Sequence, residues 1–88
     1  MPSRLQVFVS DHCWGCREAK AIAREVRARF PGLTVQVIDV DDEASEKPPQ
    51  VIAVPTYLWD GQVLCLGNPE RGWLYQYLAE VLNQPASQ

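Results

Sequence analysis

Runs of apolar residues divide the first half of the chain into three predicted elements. Residues 5–9 are rich in β-branched and aromatic side chains and end at a turn-forming Ser-Asp pair, which predicts a strand. In residues 14–30 apolar side chains recur at helical spacing and a Pro-Gly pair ends the pattern, so we predict a helix. Residues 33–40 are again rich in Val and Ile. Together the three segments have the length of a right-handed parallel βαβ unit.

The second half of the chain predicts an antiparallel hairpin. Residues 56–59 and 62–66 are strand-like, and the two residues between them are Asp and Gly, a pair that strongly favours a tight hairpin turn. The preceding residues 39–49 are acidic and broken by prolines, so we predict a loop there, with a helical turn over residues 49–52.

A final helix is predicted near the C-terminus. We expect Asn68 to cap it and Pro69 to take its first position, and its predicted apolar stripe consists of Trp73, Leu74, Tyr77, Leu78, Val81 and Leu82. A parallel βα unit joined to an antiparallel hairpin predicts an α/β fold, with a four-stranded mixed sheet and helices that cover its faces. We expect a single domain over residues 1–88.

Length and charge narrow the classes of function. The 88 residues leave no room for a second domain, and a hydrophobic content of 47% suffices for a packed core. The net charge of -3 provides no overall attraction to phosphate, so we expect no nucleic-acid partner. No apolar run is long enough for a membrane span or a secretory signal, so we expect a cytoplasmic location and no membrane association. We also expect a monomer.

Two of the three cysteines form a Cys-x-x-Cys motif. Cys13 and Cys16 fall where the first predicted strand passes into the first predicted helix, so we expect Cys13 at the helix N-terminus. There, free N–H groups and the helix dipole stabilise a thiolate and can lower a thiol pKa from about 8.5 to roughly 3.5–7.5. We predict that Cys13 attacks a disulfide and that Cys16, one turn later, resolves the mixed disulfide. This two-electron chemistry requires no cofactor.

The motif by itself leaves two other interpretations open. Two cysteines at this spacing also supply half of a tetrahedral zinc site. The chain offers only His12 and Cys65 as further soft ligands, and His12 adjoins Cys13, which makes a four-ligand site difficult to close. A chance pair of inert cysteines is the second alternative, and placement at a helix start argues against it. We therefore predict a redox dithiol and no metal site.

The segment Val54-Pro55-Thr56, directly before the third predicted strand, adds to the motif. A strand, Cys-x-x-Cys at a helix start, a strand, Val-Pro-Thr, a hairpin and a closing helix together resemble the thioredoxin and glutaredoxin superfamily over nearly the whole chain. Gly61 and Gly67 match glycines of the same pattern. The resemblance implies a cis Val54–Pro55 bond, a Pro55 that lies against the dithiol, and a Val54 backbone that pairs with a substrate peptide.

The resemblance implies a thiol-disulfide oxidoreductase that reduces or exchanges protein disulfides. The alternative is a binding module of the same fold that uses the Pro55 edge to hold a peptide or a metal or iron-sulfur centre without turnover. The expected partners are a disulfide-containing protein and a thiol reductant or reductase. Glutathione has weaker support, since Arg17 and Lys20 are suitable cations but Glu70 supplies only one of the two acids expected at the last helix.

Three further residues are candidates for a role. His12 is the nearby side chain that is suited to stabilising a thiolate or moving a proton, with an exposed loop histidine as an equal alternative. Trp14 lies between the cysteines, and we expect it to contact substrate rather than pack on a neighbouring loop. Cys65 is expected to be a small buried hydrophobe rather than a regulatory thiol.

Overall fold

The computed structural model describes residues 3–83, which contain four strands and two helices. The strands are β1 (Arg4–Val9), β2 (Thr34–Asp39), β3 (Thr56–Trp59) and β4 (Gln62–Leu66), and the helices are α1 (Cys16–Arg29) and α2 (Arg71–Leu82). All four predicted strands are confirmed, because the apolar runs that define them end at strong turn signals.

The strands form one sheet in the order β2-β1-β3-β4. β1 pairs with β2 in parallel, as a βαβ unit requires, and β3 is antiparallel to both β1 and β4. The β3–β4 hairpin closes through Asp60 and Gly61, whose φ angles of 48° and 87° are both positive. Positive φ at both central residues is typical of the tight turn that an Asp-Gly pair favours. The predicted four-stranded mixed sheet is confirmed.

Both helices pack on the same face of this sheet. The side chains that meet there are buried and apolar and form the larger core: Leu5, Val7, Val9, Cys16, Ala19, Ile22, Ala23, Val26, Leu33, Val35, Tyr57, Leu74 and Leu78. The opposite face carries a smaller cluster of Phe8, Val51 and Leu58, to which the segment between β2 and β3 contributes. The expected helical cover is therefore present on one face of the sheet.

The segment between β2 and β3 explains why no helix among the described residues covers the other face. Its consecutive prolines, Pro48 and Pro49, cannot supply the N–H groups that a helix ladder needs. The predicted helical turn is a hydrogen-bonded turn in which the Val51 N–H donates to the Pro48 carbonyl at 3.0 Å. A groove of about 750 Å³ lies on this side, and none of the residues that line it is a cysteine.

Arg71, the first residue of α2, holds α2 against α1. Its guanidinium donates to Glu25 at 2.7 and 2.9 Å and to Glu18 at 3.0 Å, and the Tyr75 hydroxyl donates to Glu25 at 2.9 Å. The hydrogen bonds from Arg71, and then that from Tyr75, lower the pKa of Glu25 to about 2. The Glu25 carboxylate is therefore charged at neutral pH, and its ion pair with Arg71 links α1 to α2.

Neither helix in residues 3–83 has the length and apolar character that crossing a membrane requires.

Candidate active site

Cys13 and Cys16 form a disulfide at the junction of β1 and α1, and their Cα atoms are 5.2 Å apart. The helix begins at Cys16 with Gly15 as its N-cap, two residues later than the predicted start at residue 14. Cys13 therefore lies in a turn before the helix, where the Cys16 N–H donates to the Cys13 carbonyl at 3.3 Å. Gly favours a cap over a helix interior, which explains the later start.

The two motif residues differ in exposure. Cys16 is 1% exposed and belongs to the core, whereas Cys13 is only partly buried. The backbone N–H of Ser10 donates to the Cys16 sulfur at 3.3 Å. Of the pair, Cys13 is therefore the residue that a partner molecule can reach, as the sequence predicts.

This difference predicts the order of labelling after reduction. We expect iodoacetamide near pH 7 to modify Cys13 first, because Cys16 is buried and because burial raises the pKa of Cys65. Mass spectrometry of tryptic peptides measures the labelling, and since Cys13 and Cys16 share the peptide 5–17, fragment ions must assign the site. In guanidinium chloride all three thiols should react at similar rates. Faster labelling of Cys16 or Cys65 in the folded protein would contradict the expected order.

Pro55 lies beside the motif. It is buried, and the Val54–Pro55 peptide bond is cis, as the resemblance implies. A Cβ atom placed on Gly15 would be 3.6 Å from Cδ of Pro55, so the proline ring contacts the dithiol loop. The Pro55 carbonyl accepts a hydrogen bond from the Gly67 N–H at 2.8 Å. Val54 is partly buried and packs against both core clusters. Within residues 3–83 its backbone N–H and carbonyl groups form no hydrogen bond with another backbone group.

Asn68 belongs to this site, although the sequence predicts a different position. The sequence predicts that Asn68 caps the last helix, but that helix begins at Arg71 with Glu70 as its N-cap. The Asn68 amide instead donates to the Gly15 carbonyl at 2.8 Å and accepts a hydrogen bond from the Tyr57 hydroxyl at 2.9 Å. The prediction was wrong because a tertiary contact with the dithiol loop replaces the local cap. The sequence signal for this contact is a polar residue that follows the last strand after a single glycine, Gly67.

A groove of about 680 Å³ opens beside the disulfide. Trp14 at its edge is 100% exposed, so packing on a neighbouring loop is excluded within the described residues. Arg17 and Lys20 bring two cations to the groove and Asp11 one carboxylate, and its full lining is Ser10, Asp11, Cys13, Trp14, Cys16, Arg17 and Lys20. The dithiol, an exposed aromatic surface and positive charge therefore share one open groove.

The remaining candidates lie outside this groove lining. His12 is exposed, and its backbone N–H donates to the Ser10 hydroxyl at 3.2 Å. Cys65 is a free cysteine opposite Tyr57 in the β3–β4 pair, and it is partly rather than fully buried because β4 is the edge strand of the sheet. Among residues 3–83, the His, Cys, Asp and Glu side chains form no group of three or more that is arranged to hold a metal ion.

Comparison with solved structures identifies the fold. The crystal structure of thioredoxin O2 from Arabidopsis thaliana in its oxidized state superimposes with a TM-score of 0.70, covering 91% of this chain and 75% of that one at 19% sequence identity. No protein-family model matches the sequence, and no curated protein matches it significantly. The similarity establishes a thioredoxin-like fold for this chain, as its motif and element order predict.

Proposed function

We propose that this protein is a thiol-disulfide oxidoreductase that reduces or exchanges disulfides in other proteins through Cys13 and Cys16. The observation that carries the proposal is the disulfide itself: a partly exposed sulfur joined to a buried one at the start of α1, beside a buried proline. The thioredoxin-like fold supports the same conclusion. In this role Cys13 is the nucleophile and Cys16 the resolving thiol.

The reaction proceeds in two exchange steps. The Cys13 thiolate attacks a sulfur of the substrate disulfide, so that a mixed disulfide forms and the other substrate sulfur leaves as a thiolate that takes up a proton. The Cys16 thiolate then attacks the Cys13 sulfur, which breaks the mixed disulfide and releases the second substrate thiolate. The substrate gains two electrons and two protons, and the protein is left with the Cys13–Cys16 disulfide.

Substrate binding is assigned to residues around the dithiol. Trp14 offers an exposed aromatic surface beside the sulfurs, which suits contact with a protein substrate. Val54, next to Pro55, offers backbone groups that can pair with an extended peptide. His12 adjoins Cys13 and is the group proposed to stabilise its thiolate or to move a proton.

The proposal also defines the partners. A disulfide-containing protein is the substrate, and a thiol reductant or a reductase supplies the two electrons that return Cys13 and Cys16 to the thiol form; the exchange steps at the dithiol itself need no cofactor. We assign the reaction to the cytoplasm, where a chain with an odd number of cysteines and a reactive pair remains reducible.

Redox titration tests the proposal. We expect the purified protein, equilibrated in glutathione buffers of graded potential, to pass between three free thiols and one in a single two-electron transition. Trapping with a thiol-reactive mass tag counts the free thiols, and the thiol of Cys65 should remain in both states. A pair that stays reduced under mild oxidant, or that copurifies with stoichiometric metal, would contradict the proposal and favour a binding module.

A further inference from the structure

The amide of Asn68 connects the dithiol loop to the centre of the sheet. Its Nδ2 donates to the Gly15 carbonyl at 2.8 Å, and its Oδ1 accepts a hydrogen bond from the hydroxyl of Tyr57 at 2.9 Å. Tyr57 belongs to β3 and is 0% exposed, so packing in the core holds its side chain in place. Because Tyr57 uses one end of the amide, the other end is oriented toward the loop.

The two residues between the cysteines add little rigidity to the loop that Asn68 reaches. The two residues between the cysteines are Trp14 and Gly15, and glycine has more backbone freedom than any other residue. The side chain of Trp14 is fully exposed and gives the loop no packing anchor. The Gly15 carbonyl also accepts the Ala19 N–H at 3.1 Å, so a donor that fixes Gly15 fixes the first turn of α1 as well.

The glycine at this position leaves little space for a side chain. A Cβ atom on Gly15 would lie 3.2 Å from Nδ2 of Asn68 and 3.6 Å from the ring of Pro55. Gly15 is therefore held between the proline on one side and the amide on the other. The flexible residue of the motif is restrained from outside the loop.

We infer that Asn68 is a positioning residue that holds the reduced loop in the geometry in which Cys16 can attack the Cys13 sulfur. The inference rests on the proposed function, since it concerns the second exchange step. In that step the bond between Cys13 and the substrate sulfur breaks, the Cys13–Cys16 bond forms, and the substrate leaves as a thiolate. A loop already held in the closed geometry loses less conformational entropy when the bond forms.

The expected effect is a weaker tendency to form the disulfide. In Asn68→Ala the equilibrium constant for closing Cys13–Cys16 should fall about fivefold, the effect of one hydrogen bond for which water is a partial substitute. That change corresponds to a reduction potential about 20 mV less negative. Tyr57→Phe leaves the donor in place but no longer orients it, so we expect a smaller shift in the same direction.

Two variants separate this role from packing and from general stability. Asn68→Leu keeps the branching and the number of side-chain heavy atoms without the donor and should shift the potential as much as Asn68→Ala does. Asn83→Ala makes the same amide-to-methyl change at the exposed C-cap of α2 and should leave the potential at the wild-type value. Thermal unfolding of the oxidised and reduced forms is measured in parallel, because a purely structural Asn68 would destabilise both forms equally.

The measurement is a titration in glutathione buffers with the thiols counted by mass tagging. A shift in Asn68→Ala and Asn68→Leu, with Asn83→Ala unchanged, supports the inference. Wild-type potential in Asn68→Leu, or equal losses of stability in both redox forms of Asn68→Ala without a shift, would overturn it. If the wild-type protein itself does not cycle between thiol and disulfide, the proposed function fails, which is a separate outcome.

Discussion

Replacing Cys13 with Ser is expected to abolish reduction of protein disulfides, with a loss on the order of 10³-fold or more, as for the removal of other covalent nucleophiles. Cys16→Ser should also stop turnover but preserve the first attack, because Cys13 is the more exposed residue of the pair and does not depend on Cys16 to reach a substrate. The mixed disulfide between Cys13 and the substrate then has no resolving thiol and accumulates.

Reduction of insulin by dithiothreitol, followed by turbidity, measures turnover of the two variants. The covalent complex that Cys16→Ser retains is detected in a separate experiment, in which the pre-reduced variants are freed of dithiothreitol, mixed with insulin and separated by electrophoresis without reductant, because dithiothreitol itself cleaves a mixed disulfide. Cys65→Ser is the matched control, since it removes a thiol that is free in the structure and absent from the groove, and it should keep wild-type activity. Accumulation of the complex in Cys13→Ser rather than in Cys16→Ser would reverse the assigned roles, and loss of activity in Cys65→Ser would contradict the dithiol assignment.

The sheet was predictable from the sequence because its signals are local. Each strand is a short β-branched or aromatic run that ends at turn residues, and the two-residue loop between β3 and β4 leaves antiparallel pairing as the only option. The parallel pairing of β1 with β2 follows from the helix between them. The motif was predictable for the same reason, since Cys13 and Cys16 are neighbours in sequence.

The position of Pro55 beside the motif required knowledge beyond local pattern. Nothing in the spacing of residues 13–16 and 55 indicates that they meet, and the expectation came from resemblance to a known superfamily. In the structure the meeting depends on β3 pairing with β1, which brings the start of β3 to the end of β1 where the motif begins. This pairing joins residues that are far apart in sequence, so it cannot be predicted from the residues around the motif alone.

The misplaced features are those for which a tertiary contact outweighs a local preference. Asn68 followed by a proline favours a helix cap, but the amide gains two hydrogen bonds by turning toward Gly15 and Tyr57. The side on which the helices pack was not predictable either, because an amphipathic pattern does not specify which sheet face it covers. Cys65 lies between Leu64 and Leu66, yet it is only partly buried in an edge strand.

The apolar stripe predicted for α2 is wider than the part that is buried. Trp73 is 47% exposed and stacks on Tyr77 with their ring centroids 5.5 Å apart, while Leu74 and Leu78 are 0% exposed and belong to the core shared with α1. The helical spacing of the apolar residues alone places all side chains of the predicted stripe on one face of α2. The structure divides them into a buried seam, formed by Leu74 and Leu78, and an aromatic pair in which Trp73 is exposed and Tyr77 is partly buried.

Because Leu74 and Leu78 form the buried seam of α2, shortening one of them should cause a large loss of stability. Leu78→Ala should lower the free energy of unfolding by roughly 2–5 kcal/mol, because it removes a buried side chain from a core that cannot fully close around the cavity. Leu82→Ala is a matched control one helical turn later, where the side chain is 37% exposed, and it should cost less than about 1 kcal/mol.

Urea unfolding followed by circular dichroism measures both changes in the oxidised and in the reduced protein. A small domain has roughly 5–15 kcal/mol of stability in total, so Leu78→Ala removes a substantial fraction of it while Leu82→Ala does not. Equal losses in the two variants would show that α2 does not pack through the Leu74 and Leu78 seam. Since the loop between β4 and α2 carries Asn68, such a result would also remove the structural support for the contact that fixes Gly15.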